Sequence, residues 1–317
     1  MTEDMVQFIA RRLAISIVVM FGTVLLAFFL LSLAPGNAAE NILRAERLND
    51  PRLGEVEIFM EKHGLNNTML KQLGQWFYML GHGNLGTSFR TNEPVTEEFW
   101  ARFPATFELA AASMVIACLI AIPIGVLSAV KRNSLLDHGS RIFALWGVSM
   151  PNFWMGLLLI LIFGVKLGWL PTFGYGGMDH LVLPTVTLAI GMSAILIRLQ
   201  RTSILEVLNA NYVRTARAKG LSERVVIGKH AFRNTLIPMV TVIGIQFAHL
   251  LAGVVIVEQI FAWPGIGHFL VDSINAQDYP VVQGFVLMIA LFFVICNLLV
   301  DVLYAYLDPR IRYERGR

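Results

Sequence analysis

The sequence predicts an all-α integral membrane protein: six transmembrane helices, with a small extracytoplasmic lobe between the first and the second. Three observations carry this. Hydrophobic residues make up 56% of the 317 and charged residues 15%, against about 25% charged in a soluble domain, so most of the chain does not face water. The apolar residues gather into runs near the roughly 20 that cross a bilayer as helix. Lys and Arg lie beside the ends of those runs and keep to one side of the membrane, as the inside-positive rule requires.

The first run, Leu13 to Ala34, contains no charge. Arg11 and Arg12 imitate the basic start of a signal peptide, and Ala34 to Ala39 offers small residues. Its apolar core exceeds the about 7–15 residues of a signal, however, so the run is expected to remain as a span. Pro35-Gly36 breaks it, and Phe103-Pro104 reads as punctuation before the second span. Between them, Leu53 to Leu80 mixes apolar and charged residues at helical spacing, with Trp76, Phe77 and Leu80 as a packing face. Gly81 to Gly86 reads as a turn. This lobe is too poor in apolar residues to be an independent enzyme domain.

The second span is Ala105–Val130, with Glu108 at its outer end, and the third is Ile142–Val165. A shorter fourth covers Leu181–Ile197, the fifth Leu236–Val257 and the sixth Val281–Leu307. The division expected is 1–34 for the N-terminal tail and first span, 35–104 for the lobe, 105–307 for the five remaining helices with a polar loop over 201–236, and 308–317 for a C-terminal tail. With the N-terminus inside, the inner segments collect Arg11, Arg12, Lys131, Arg132, Arg141, the basic residues of 198–233, and Arg310, Arg312, Arg315 and Arg317. The outer loop 258–280 has no Lys or Arg and loop 166–180 only Lys166. Both termini are therefore expected in the cytoplasm.

The net charge of +3 is not a nucleic-acid signature, because the cations lie where anionic lipid attracts them. The two cysteines, Cys118 and Cys296, each fall within a span and offer neither a disulfide framework nor metal spacing. No 20–50-residue repeat and no matching pair of interrupted spans is visible, which speaks against a repeat-built channel and an inverted-repeat carrier. Pro123, Pro151, Pro184, Gly125, Gly156, Gly191, Gly244 and Gly253 lie inside spans. Each is explained by close helix packing; together they describe a bundle with bends around a pathway.

The loop after the fourth span carries the functional signal. Ile204, Leu205, Leu208 and Tyr212 form one apolar helical stripe, with Asn209, Asn211 and Arg214 off it. Gly220 stops that helix, since glycine enters the left-handed cap cheaply. Ser222 caps a second short helix, with Leu221 and Val226 placed as a hydrophobic staple. Such a compact cytoplasmic knob fits a cleft in another protein. Ordinary inside-positive anchoring explains the loop's charge but not its helix–turn–helix.

The wording of the loop resembles the coupling loop of the permease subunits of bacterial ABC importers, close to the peptide/nickel branch that includes dipeptide, oligopeptide, glutathione and nickel permeases. The residues that carry it run from Tyr212 through Val213, Arg214, Thr215, Ala216, Arg217, Ala218, Lys219, Gly220 and Leu221 to Ser222, then from His230 to Pro238. Further agreement comes from Phe261-Ala262-Trp263-Pro264-Gly265-Ile266-Gly267, from Asp278 to Gln283, from Leu307 to Arg312, and from Arg11-Arg12 and Pro35-Gly36-Asn37. The resemblance covers essentially the whole chain. It departs in the longer interval from Gly220 to Pro238, in Gly83-Asn84-Leu85-Gly86 where the family has Gly-Asp-Leu-Gly, and in Gly64-Leu65-Asn66-Asn67-Thr68 where it has Gly-Leu-Asp-Gln-Pro.

The resemblance implies a transport subunit rather than an enzyme, in the bacterial inner membrane. A second permease would complete the pathway, two cytoplasmic ATPases would dock on Ala216–Ser222 and bind the ATP and Mg, and an extracytoplasmic binding protein would deliver cargo. The chain itself has no G-x-x-x-x-G-K-[ST] loop, and Gly228-Lys229-His230 lacks its other parts. Small peptides are the expected cargo, with nickel or a metal chelate as alternative. The string Met150-Pro151-Asn152-Phe153-Trp154 is shared by both kinds of relative and does not decide between them.

Ionisable residues within spans are functional candidates. Glu108, Arg198, Glu258 and Asp301 are expected near span ends, reaching water as anchors. His249 falls near the middle of the fifth span, a turn from Gln246 and Gly253. Packing with an interhelical hydrogen bond is the first account of it, and lining the pathway the second. A proton relay would need a mid-span carboxylate beside it. Outer-facing His82, His180 and His268, with several Met residues, leave a metal path as the lesser reading, since without close i, i+4 spacing loop histidines are first read as solvated or hydrogen-bonded. Two rivals of other classes are an intramembrane hydrolase, for which Ser193 and His249 are the tempting pair, and an ATP-independent channel or carrier.

Overall fold

The computed structural model describes residues 2–33, 36–47 and 53–307, and among these the secondary structure is helical, with one isolated bridge between Thr87 and Pro94. The tail 308–317, with its Arg residues, and Pro35 lie outside the described residues. Among the described residues, five helices are long and apolar enough to cross a membrane, and six if one bent pair counts as a span. The chain divides into two compact units, one of Met1–Thr106 with Pro264–Val294, the other of Phe107–Trp263 with Ile295–Arg317.

In the first unit, α1 (Thr2–Leu33) carries the first apolar run. The Asn37 side chain accepts from the Ala39 amide at 3.1 Å and opens α2 (Ala38–Arg47). Two further helices, α3 (Leu53–Lys62) and α4 (Met69–Gly81), follow. Trp76 is buried, and the Phe77 ring stacks on Phe21 at 5.1 Å. Gly83 and Gly86, both with positive φ, make the turn expected there.

The next helix, α5 (Val95–Val130), begins nine residues before Pro104. Pro104 therefore lies inside a helix and does not punctuate it. An aromatic core of Phe99, Phe269 and Phe285 with Leu85, Val95, Ile266 and Val281 fills this unit. It joins α5 to α13 (Ile266–Asn275) and α14 (Tyr279–Leu307).

In the second unit, α6 (Leu135–Ser149) and α7 (Asn152–Leu159) replace the straight third span expected over Ile142–Val165. They meet at 104°. The cause is Pro151, which has no amide proton to continue the helical ladder and holds Met150 in an extended conformation. A π-helical stretch, Ile160–Lys166, extends α7.

The fourth span is α8 (Met178–Leu208), longer at both ends than Leu181–Ile197. After it come α9 (Asn211–Ala218), the one-turn α10 (Glu223–Val225), a π-helical stretch Val226–Ala231, and α11 (Phe232–Gly253). The fifth span breaks at Val254 before α12 (Val255–Phe261).

Small residues bring the second unit's helices close. A Cβ on Gly147 would stand 2.9 Å from Ala194 Cβ, and one on Gly125 would stand 2.7 Å from Gln200 Cβ.

Candidate functional site

Of the polar loop expected over 201–236, residues 201–208 belong to α8 and 232–236 to α11, and the segment between them folds into a knob. Contrary to the single apolar stripe expected from Ile204 to Tyr212, the helix breaks at Asn209–Ala210, so Tyr212 belongs to α9. The stop at Gly220 is a Schellman motif. The Gly220 amide donates to Arg217 O at 2.9 Å and the Leu221 amide to Ala216 O at 3.4 Å, with Gly220 at φ +78°. Among the described residues, nothing beyond its chain neighbours lies within 4 Å of where a Gly220 Cβ would be. Backbone conformation, not space, demands the glycine.

Ser222 precedes α10 in an extended conformation, and its carbonyl accepts from Val225 and Val226, but its side chain makes no capping bond. The expected staple is also absent in that form: Leu221 is 40% exposed, while Val226 is fully buried with Val213 and Ala216. Val207 and Leu208 at the end of α8 pack on that small core. Across the turn, Arg217 Nε bonds Glu223 Oε1 at 2.7 Å, and at the rear Asn234 Nδ2 bonds the Tyr212 hydroxyl at 3.0 Å. Of Ala216–Ser222, only Ala216 is buried; Arg217, Ala218, Lys219, Gly220, Leu221 and Ser222 form an exposed apex.

Above the knob lies a polar anchor that sequence reasoning missed. Asp137 is fully buried. It accepts from Arg201 Nε at 2.6 Å and a second guanidinium nitrogen at 3.0 Å. The Ser128 hydroxyl at 2.7 Å and the Asn133 amide at 2.9 Å complete its shell. Ser134 caps α6 by accepting from the Asp137 amide. Ser134-x-x-Asp137 is a capping-box pattern and would have placed a helix start there. Arg201, in contrast, reads in the sequence only as one of the basic residues after the fourth span.

His249 faces a cleft of about 430 Å³ lined by Gly147, Met150, Pro151, Asn152, Gly191, Met192, Gln246 and Leu250. The broken span thus borders the cleft with its bend, as irregular backbone in a membrane helix does where it lines a cavity. His249 is exposed, and its Nδ1 lies 2.8 Å from Ile245 O on its own helix. The lining residues carry no carboxylate and no Lys or Arg. Ser193 is buried and donates to Ile190 O, so it is not presented to His249 as a nucleophile would be.

Glu258 corrects an expectation. It does not reach water at a span end but is fully buried in α12. Glu108 and Arg198 are exposed, and Glu108 accepts from the Tyr175 hydroxyl at 3.1 Å, which raises the Tyr175 pKa. The Phe261–Trp263 string, with Ala262 left-handed at φ +48°, stitches loop 167–177 in place. Gly174 N–H donates to Phe261 O at 2.8 Å, and Trp263 packs edge-on to Tyr175. His82 bonds Tyr78 O, His180 bonds Asp179, and His268 lies 3.8 Å from Asp272. Among the described residues no three His, Cys, Asp or Glu side chains gather as a metal site would require.

Comparison with known proteins gives this geometry its context. Residues 121–313 match the family described as binding-protein-dependent transport system inner membrane component. A dipeptide transport system permease protein of Alkalihalophilus pseudofirmus is 41% identical, with 98% of this chain and all of that protein covered. A di/tripeptide transport system permease protein of Pseudomonas aeruginosa is 42% identical at the same coverage. So is a glutathione transport system permease protein of Pectobacterium atrosepticum, also at 42%. Two solved structures share the fold. One is the methionine ABC transporter in an inward-facing conformation, with TM-score 0.53 at 15% identity over 68% of this chain and 96% of that one. The other is an amino acid ABC transporter, with TM-score 0.52 at 18% identity over 68% and 94%. With a family match over more than half its length and relatives aligned end to end, the chain belongs to the inner membrane components of binding-protein-dependent transport systems: it is a multi-pass ABC permease subunit.

Proposed function

We propose that this subunit moves small peptides across the bacterial cytoplasmic membrane, driven by a separate ATPase that docks on Ala216–Ser222. The names of the relatives support peptides as the cargo class. The observation that carries the docking is the apex itself: a Schellman-stopped helix, exposed from Arg217 to Ser222 and seated on the buried Val213, Ala216 and Val226. A surface that stiff transmits a push, where a floppy loop would absorb it.

Two ATPases bind the ATP and Mg, a second permease completes the pathway, and an extracytoplasmic binding protein delivers cargo toward the 35–104 lobe. Both termini face the cytoplasm with the knob. When the ATPases close, the knob moves, the bent spans follow, and the pathway exchanges the side to which it opens. His249 lines that pathway, because it faces the cleft at the bend beside Gln246 and Asn152. No observation favours a nickel or metal-chelate cargo.

Gly220 tests the docking. A Cβ there meets nothing among the described residues beyond its chain neighbours, but valine must adopt φ +78°, at a cost of about 1–2 kcal/mol, whereas asparagine visits that region readily. In vesicles holding the whole complex, Gly220→Val should lower uptake roughly 5–30-fold, with weakened cross-linking from Ala218→Cys to the ATPase. Gly220→Asn should stay near the parent. Equal uptake and equal cross-linking by the two variants would remove the knob from the docking role.

A further inference from the structure

We propose that the Asp137–Arg201 ion pair is a positioning contact that locks α6 and α8 into one lever, carrying displacement of the knob to the cleft at the bend. The inference rests on the docking reading and adds the path by which docking is felt.

The lever has two fastenings. At the knob end, Arg201 of α8 grips Asp137 of α6 through two hydrogen bonds, 2.6 and 3.0 Å long. Ser128 near the end of α5 and the Asn133 amide in the turn after it fix the carboxylate. Asp137 is fully buried and the Arg201 side chain 20% exposed, so little water competes for the pair. At the other end, ten residues and about 15 Å along α6, Gly147 approaches Ala194 so closely that a Cβ would stand 2.9 Å away. Gly147 and Gly191 both line the cleft, and Met150–Asn152 is the bend.

Two parallel fastenings along one helix pair prevent it from shearing. The end of α8 is also packed into the knob, where Val207 and Leu208 cover Val213, Ala216 and Val226. Movement of the apex therefore reaches α6 without an intervening loop. If the pair were loosened, α8 would still follow the knob while α6 and the bend lagged behind.

The test uses the complete transporter in vesicles, with its ATPases and binding protein, and reads ATP hydrolysis, peptide uptake and Ala218→Cys cross-linking together. Asp137→Asn keeps the side chain's shape and removes its charge. Expected are normal cross-linking and hydrolysis with uptake per ATP reduced roughly five-fold or more. Arg201→Lys keeps the charge but not the two-pronged grip, and should show a smaller loss. Unchanged uptake per ATP in Asp137→Asn would overturn the lever. So would loss of assembly in both variants, which would assign the pair to folding alone. Absence of the Ala218→Cys cross-link in the unmutated pair background would sink the docking reading instead, which keeps the two failures distinct.

Discussion

Asp137 in the second unit and Asp278 in the first are both fully buried, yet they are satisfied differently. Asp137 meets a cation, Arg201, contributed by a helix 64 residues further on. Asp278 instead accepts from neutral donors: the Ser88 hydroxyl at 2.6 Å, the Phe89 amide at 3.1 Å and the Arg90 amide at 3.3 Å. The first arrangement ties two long helices by their side chains. The second pins a turn by its backbone, at the start of α14. An ion pair at a helix crossing resists sliding in either direction, whereas amide donors hold one loop conformation. The pair suits a part that must move as a unit, and the amide cradle suits a part that must keep its shape.

The largest effect is expected at the cradle. Asp278→Ala leaves the Ser88 hydroxyl and the Phe89 amide without this acceptor and the Arg90 amide with Ser88 Oγ alone, at a total of about 3 kcal/mol. Hydrogen exchange of the Phe89 amide should accelerate accordingly, with a smaller change at Arg90, whose amide also donates to Ser88 Oγ; unchanged protection of Phe89 would mean that the turn 87–94 does not depend on the carboxylate.

Next comes the helix crossing. Gly147→Val forces a methyl group onto Ala194 and Ile190 O, an overpacking of about 1–3 kcal/mol. It should lower the Tm of the purified protein. An unaltered Tm would mean that α6 and α8 are not fastened at the cleft end, and the contrast between the two regions would lose one side.

The smallest effect is a pH dependence confined to the cradle. His63 packs on Phe59 and Phe89, with ring centroids 4.4 and 4.6 Å away. Burial pushes its pKa below the usual 6.5, Lys62 adds to this, and Asp278 opposes it. The unfolded segment around His63 then binds a proton more readily than the folded one. Stability is full above pH 6.5 and declines as pH falls from there toward the lowered value. Protease nicking of the chain around His63 should rise over that interval, and His63→Gln should flatten the response. A response undiminished in His63→Gln would assign it to another group.

Much of this was legible in the chain because hydropathy and cap chemistry are local. The long helices α1, α5, α8, α11 and α14 lie where the apolar runs are, since a bilayer-length run has few alternatives to helix. The stop at Gly220 was readable because a left-handed cap depends on one residue. The bend at Met150–Pro151 was less so. Apolar residues continue on both sides of Pro151, and hydropathy does not report direction. Pro104 shows the reverse, since a helix carried through it where local punctuation predicted a boundary.

The amino-acid sequence by itself determined that this protein is helical, embedded in lipid, and provided with a capped polar knob between its fourth and fifth long apolar runs. Each of these follows from residues within a few turns of one another. Only the tertiary structure decided that Arg201 belongs to Asp137, that Glu258 is buried, that Leu221 is exposed while Val226 is not, and that His249 faces the cleft at the bend. Those facts join residues far apart in the chain or depend on what surrounds them, and burial and pairing across such separations exist only once the helices have packed.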